Sequence, residues 1–350
     1  MTQKNDVCLS CGTIRSFVDV NEKASVRRAR VARSLPFDLE LSSGRYRCAR
    51  LLGVGRLGET YLAFDEGGQA RSIKRLHHGL LDSPRVAEVL LPALQASQLL
   101  SHQHCVAVLG VEQLGESCFV LTDYVSGVDL GALFRHARYH GAPNPSVAVH
   151  LVAQICEGLA HAHHLVYEGR GAQMFHGALW PQNVLLDREG SARLRDFGCW
   201  HPALEGRGEV PVVDQSPEHL RGEELTRATD VFCVAALLYQ LLTGHGLFEG
   251  RAAQEVLASA RGGTLGSMDQ VPLAFRSLLR RCLAVDPRRR PSDARALAAD
   301  LIAARPGAAE RKTRPELLSY LEPLMAGVEE SSPPPVGPAP RGSTEVVAPA

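Results

Sequence analysis

The residues best able to do chemistry in this chain are a few glycines, amides and charges set at wide intervals. Gly53-x-Gly55-x-x-Gly58 lies between two apolar-rich segments, 46–52 and 60–64, that both read as strands. Glycines that open a helix would point to a dinucleotide fold, and that context is missing here. Between strands, glycines let the backbone bend over phosphates and present N–H groups that no side chain obstructs. A tight hairpin accounts for them equally. Sixteen residues after Gly58 comes Ser72-Ile73-Lys74, in a chain with 34 arginines and four lysines. Lys74 is the only lysine between Arg45 and Arg305. A compact ammonium on a buried strand reaches phosphate oxygens where a planar guanidinium needs more room, although one lysine also falls somewhere by chance. Farther on, His176-Gly177-Ala178-Leu179-Trp180-Pro181-Gln182-Asn183 follows a helical pattern, and Asp196-Phe197-Gly198 lies thirteen residues past Asn183.

The elements that must position these residues follow from periodicity. Segments 70–76 and 118–124 read as further strands, and 85–100, 146–164, 228–242 and 275–283 as helices. Strands first and helices afterwards indicate an α+β protein rather than a βαβ repeat. Residues 1–44 show no sustained periodicity and read as an arm, with a basic run over 27–33 that is expected to be solvated. Residues 306–350 read as a tail, with a short amphipathic helix over 315–325 and a proline-rich, disordered end. The helix either packs on the larger lobe or recruits a partner.

Composition narrows the function classes. The chain has 350 residues, 45% of them hydrophobic, with 38 basic and 38 acidic side chains and a formal net charge of zero. That excludes global disorder and argues against a nucleic-acid binder, which needs surplus positive charge. The apolar run 231–242 is too short to span a bilayer and reads as core, with Cys233 inert within it. No signal-peptide core is apparent at the N-terminus, so the expectation is a cytoplasmic protein without membrane contact. Nine scattered cysteines suit a reducing compartment. Cys8-x-x-Cys11 has zinc-knuckle spacing but no second ligand pair nearby, so two idle thiols are favoured over zinc. His77, His78, His102, His104, His161, His163 and His164 read as surface or loop histidines, not metal ligands.

Taken in order, the motifs resemble the protein-kinase signature set, and the chain resembles the bacterial Ser/Thr protein-kinase-like family. Ser216-Pro217-Glu218 is similar to the Ala-Pro-Glu motif, and Asp230-Val231-Phe232 opens a helix as the family's central helix does. Arg290, in Asp286-Pro287-Arg288-Arg289-Arg290-Pro291, corresponds to the arginine that pairs with that glutamate, here Glu218. The resemblance implies a bilobal kinase-like fold over 45–305, with a small β-rich lobe at 45–122 and a larger helical lobe at 123–305. It further implies that Gly53, Gly55 and Gly58 cover a triphosphate and that Lys74 contacts its α- and β-phosphates. Asn183 and Asp196 would hold magnesium. The hinge would be Thr122-Asp123-Tyr124-Val125, with Thr122 as gatekeeper and Asp123, Val125 and Leu185 at the nucleotide. Asp129 would approach a ribose, unless it is a surface aspartate. His176, Phe197, Glu218, Asp230 and Arg290 would be structural.

The departures from the pattern are as informative. The aspartate that orients and deprotonates the acceptor hydroxyl is replaced by Ala178, and a positioned general base contributes about 10²–10⁴-fold in rate. The preceding arginine is Gly177, and Trp180 stands where a small or basic residue is usual. The helix glutamate that holds the strand lysine falls on Ala93, just after Pro92, which should bend or weaken its helix. Glu88 would serve only with a five-residue slip. Between Gly198 and Ser216 there is no Ser, Thr or Tyr, so the usual activation phosphosite is missing, and the substrate-binding threonine reads as Pro211. Thr60 and Ser72 place hydroxyls where the adenine wall is usually apolar. Three readings follow. The favoured one is a catalytically impaired pseudokinase that signals by binding ATP, a protein partner, or both. The second is an active atypical Ser/Thr protein kinase using Asp187 or Asp214. The third is an interaction scaffold with no nucleotide.

Overall fold

The computed structural model describes residues 5–7, 14–16, 38–167, 170–171, 174–200, 215–247, 255, 258, 267–304, 310–326 and 328. Cys8, Cys11, the basic run at 27–33, Pro211, Asp214 and the proline-rich end lie outside the described residues.

Two short strands, β1 (Asn5–Val7) and β2 (Ile14–Ser16), pair antiparallel near the N-terminus. The main sheet begins with β3 (Asp38–Leu41), inside the segment expected to be an unpatterned arm. Its alternation is clean, with Leu39 and Leu41 buried between exposed Asp38 and Glu40, but four residues are too few to register as a pattern. There follow β4 (Gly44–Val54), β5 (Gly58–Phe64) and β6 (Ala70–Leu76). Helix α1 (Pro84–Ser97) leads to β7 (Val108–Leu114) and β8 (Ser117–Asp123). The six-stranded sheet runs β3-β4-β5-β6-β8-β7, every neighbouring pair antiparallel. One face buries Tyr46, Tyr61, Ile73 and Leu121. The other packs Leu76 and Val120 against Val86, Leu90 and Leu94 of α1.

Pro84 takes the first turn of α1, where a missing N–H is harmless. The helix continues through Pro92 instead of breaking there. Pro92 lies on the exposed face, so the carbonyl four residues back that loses its donor is open to water.

The helical lobe opens with β9 (Gly127–Asp129), α2 (Leu130–His140) and α3 (Pro145–His163). A small hairpin, β10 (Val166–Tyr167) with β11 (Arg170–Gly171), precedes β12 (Val184–Asp187) and β13 (Ala192–Leu194). These last two join β9 in a three-stranded sheet ordered β13-β12-β9. Next come α4 (Pro217–Arg221), α5 (Arg227–Thr243), α6 (Leu273–Cys282), α7 (Ala294–Ala303) and α8 (Glu310–Met325). Helix α5 is apolar on nearly all sides, as suits the centre of a lobe. Reciprocal capping by Thr226 and Thr229 starts it, and Gly244, at φ +76°, ends it. Helix α8 starts five residues before the expected position 315, because Thr313 is already buried. It packs back on the lobe: Leu317 and Leu321 are fully buried, each worth about 1.5–3 kcal/mol. Among the described residues, no helix is long and apolar enough to cross a membrane.

Candidate functional site

A cleft of about 390 Å³ opens between the sheet and the helical lobe. Strand β6 places Lys74 opposite Thr60 of β5 and Val120 of β8, on the sheet face that looks into this cleft. Its Nζ donates to Oδ1 of Asp196. Asp196 has φ +64°, the only positive value at a non-glycine among the described residues, and such backbone strain concentrates at functional sites. Burial opposes ionisation of Asp196, but Lys74 and Arg195 outweigh it and hold the carboxyl below its ordinary range.

Helix α1 supplies no acid to this corner. A Cβ built on Gly198 would come within 2.8 Å of the Ala93 Cβ, so residue 93 sits against the Asp-Phe-Gly turn. Glu88 is exposed and takes no part. Among the described residues, Lys74 therefore rests on Asp196 alone.

The glycine loop joins β4 to β5 and is tightened by a hydrogen bond from Gly55 N to Gly58 O at 2.8 Å. Only Gly58 is demanded by the protein itself, since a Cβ there would lie 2.0 Å from the Arg75 carbonyl oxygen; at Gly53 it would meet nothing. The loop also carries a residue whose importance sequence reasoning missed. Arg56 Nη2 donates to Cys199 O at 2.8 Å, and its guanidinium carbon lies 5.0 Å from the centre of the Trp180 ring. One side chain thus ties the roof of the cleft to its floor.

Along the hinge, Asp123 accepts from Arg71 Nη1 at 2.7 Å, and Thr122 Oγ1 donates to Ser72 O at 3.4 Å. Val125 and Leu185 line the cleft, as do half-exposed Thr60 and Ser72. Asp129 also lines it, but Oδ1 accepts from Ala132 N at 2.8 Å and so caps α2.

Below the cleft, Asp230 of α5 organises the loop before β12. Its Oδ2 accepts from His176 N at 2.7 Å and its Oδ1 from Gly177 N at 2.9 Å, while His163 Nε2 lies 2.9 Å from Oδ2. Burial opposes its ionisation, but the His163 hydrogen bond and its neighbours hold the carboxyl below the ordinary range. The His176 ring lies 4.5 Å from that of Phe197, and burial pushes its imidazole down. Asn183 Nδ2 donates to Ala178 O at 2.7 Å. Farther out, Arg290 forks onto Glu218 with contacts of 2.6 and 2.9 Å, both side chains buried.

Ala178 itself is fully buried in a small apolar cluster with Trp200 and Leu225, edged by Phe175 and Trp180. Asp187 turns away, its Oδ1 accepting from Glu189 N and Ser191 N in the β12–β13 turn. His219 was also missed from sequence. Its Nε2 donates to Gly177 O at 2.9 Å, and its ring meets Trp200 edge-on at 4.7 Å. The one available signal was its place three residues after Ser216, where it closes a capping box. Of the other histidines, His102 stacks on His161 at 5.2 Å, and no described group of three or more His, Cys, Asp or Glu is arranged for a metal ion.

A sequence profile of the protein kinase domain matches residues 46–302. The chain belongs to the protein kinase family. It is similar to the serine/threonine-protein kinase PrkC of Bacillus subtilis, 26% identical over 273 residues, covering 74% of this chain and 40% of that protein. It is also similar to the serine/threonine-protein kinase pkn3 of Myxococcus xanthus, 28% identical over 279 residues, covering 73% of this chain and 49% of that one. A viral relative is the tyrosine-protein kinase transforming protein ros of UR2 avian sarcoma virus, 29% identical over 269 residues, covering 69% of this chain and 65% of that one. The chain spans less than half the length of these two bacterial relatives.

Kinase domains work with ATP and magnesium. In this one, the side-chain oxygens corresponding to metal ligands are those of Asp196 and Asn183. Asp196 is held by Lys74 with Arg195 as its chain neighbour, while Asn183 is 5% exposed and does not line the cleft. Magnesium demands near-octahedral oxygen coordination. A carboxylate already paired with Lys74 and in the field of Arg195, with one buried amide, fits it poorly.

Proposed function

We propose that this kinase domain binds a nucleotide in its cleft but does not efficiently pass on the terminal phosphate, and that it signals by engaging a protein partner. One observation carries the reading: the base position is Ala178, fully buried in an apolar cluster with Trp200 and Leu225. Losing a positioned base removes about 10²–10⁴-fold in rate. Trp180, beneath Arg56, adds bulk on the acceptor side. The charged end of the cleft keeps Lys74 and Asp196 in contact, which supports nucleotide binding. Such a domain acts where its partners are, and the cytoplasm fits its buried thiols.

The test is a radiolabelled ATP transfer assay paired with a thermal-shift titration. The expected outcome is no transfer above background and a nucleotide-dependent shift; ligand at 100 times its dissociation constant adds about 2.7 kcal/mol. Robust transfer abolished by Lys74→Met would overturn the impaired reading in favour of an active atypical Ser/Thr kinase. No shift at millimolar nucleotide would favour a scaffold with an empty cleft.

A further inference from the structure

The residue before the Asp-Phe-Gly turn is Arg195, one of the residues that line the cleft. Its Nε donates to the Gln182 carbonyl at 3.2 Å, which anchors the guanidinium. Its two Nη groups hydrogen-bond no protein atom among the described residues. The acids lining the cleft, by contrast, are all engaged. Asp123 is held by Arg71, Asp129 caps α2, and Asp196 is held by Lys74. What is left over is an anchored planar fork, on a residue of the cleft lining, with both Nη groups open to a ligand. That geometry matches phosphate oxygens bidentately.

The same residues disfavour a metal ion. With Ala93 against Gly198, α1 offers no carboxylate to draw Lys74 aside, so Lys74 stays on Asp196. A divalent cation on Asp196 would sit beside both Lys74 and Arg195, which sets like charges together. A polyanion meets the opposite situation, since both cations attract it and neither must leave the cleft.

We propose that the cleft binds a nucleoside di- or triphosphate without a divalent cation, Lys74 and Arg195 carrying the phosphate charge that metal ions carry elsewhere in the family. The proposal rests on the nucleotide-binding reading above and gives it a specific requirement. The test is calorimetric titration of the full chain with ATP, once in excess EDTA and once in excess magnesium. The two dissociation constants are expected to agree within about threefold, and Arg195→Ala to weaken ATP at least about tenfold in EDTA. Adenosine, which lacks phosphates, should bind both proteins alike. Arg195→Lys keeps the charge and loses the fork. If Arg195→Ala loses its cooperative unfolding transition, this second variant decides, with at least about threefold weakening expected. Binding that requires magnesium, or a folded Arg195 variant that binds ATP as tightly as the wild type in EDTA, overturns the cation-free site while nucleotide binding stands. Failure of ATP to bind in either buffer overturns the nucleotide reading itself, and this proposal with it.

Discussion

The two ends of the cleft differ in what fills them. At the end proposed to take phosphate, Lys74, Asp196 and Arg195 form a charged corner among the residues that line the cavity. At the proposed acceptor end, Ala178, Trp200 and Leu225 close into an apolar cluster. Both ends hang from the same frame, because Asp230 holds His176 and Gly177, while Gly198 N donates to His176 O at 2.9 Å. The fold can therefore lose the chemistry of one end without losing the geometry of the other. A frame built from buried backbone contacts does not depend on which side chain projects from position 178.

Breaking that frame should have the largest effect. Arg290 and Glu218 are buried partners, so Arg290→Met leaves an uncompensated buried carboxylate and should lower stability by about 3–5 kcal/mol. Urea denaturation measures this directly. Its pH dependence has a definite sign. Burial opposes ionisation of Glu218, but Arg290 outweighs it and holds the carboxyl below its ordinary value. The pair's contribution is thus full at neutral pH and is lost as pH falls from about 4.3, the unfolded value, through the lower folded one. Without Arg290, burial raises the Glu218 carboxyl above its unfolded value and the sign reverses, so the variant should gain stability as pH falls through that raised value, where the wild type loses it. Wild type and variant with parallel pH profiles would show that the pair adds nothing.

Ala178→Asp addresses the acceptor end. Restoring the acid alone should not restore transfer, because Trp180 and Trp200 still take the space around it. It should also lower stability by roughly 1–3 kcal/mol, the cost of placing a polar group in an apolar site. Transfer assays and denaturation on the same preparation check both halves. Transfer rising well above background would mean that only the base was missing.

The sequence makes the chemistry more legible than the contacts. Gly58, Lys74, Asn183 and Asp196 stand out because the phosphate-directed chemistry proposed for them restricts residue type and order. The vacancies at Ala178 and Ala93 are readable for the same reason. Edge strand β7 has no fully buried residue and so carries no alternation to detect. Pro92 reads as a bend or weak point because its exposure on α1 is invisible in a linear string. Arg56 and His219 act on residues 143 and 42 positions away, distances at which no periodicity or spacing rule reaches. Arg195 goes unnoticed because an arginine in an arginine-rich chain carries little information until the cleft around it is seen.

Ala93→Glu would make the two ends more alike in charge logic. A glutamate against Gly198 gives Lys74 a second carboxylate and releases Asp196. ATP binding should then become magnesium-dependent, with the EDTA and magnesium constants diverging by about tenfold, or about 1.4 kcal/mol. Unchanged constants in the two buffers would show that Asp196 is not what excludes the metal.

The smallest expected effect comes from the one side chain that joins the two ends. Arg56→Ala removes a charge-assisted hydrogen bond to Cys199 O and a cation–ring contact with Trp180. With solvent close by, the sum should be only about 1 kcal/mol of global stability. Its local effect should be easier to read. Cys199 is 2% exposed, and burial pushes its thiol up to about 12, so alkylation requires the cleft floor to open. Cys156 and Cys282 lie fully buried in the helical lobe and report only on deeper opening. If Arg56 latches the roof to the floor, its removal should speed labelling of Cys199 severalfold while leaving Cys156 and Cys282 nearly unchanged. Equal acceleration at all three thiols would mean that Arg56 stabilises the whole domain and joins nothing in particular. Labelling followed residue by residue by mass spectrometry separates these outcomes. Selective acceleration would locate the easiest opening of the molecule at the boundary between its charged and apolar ends.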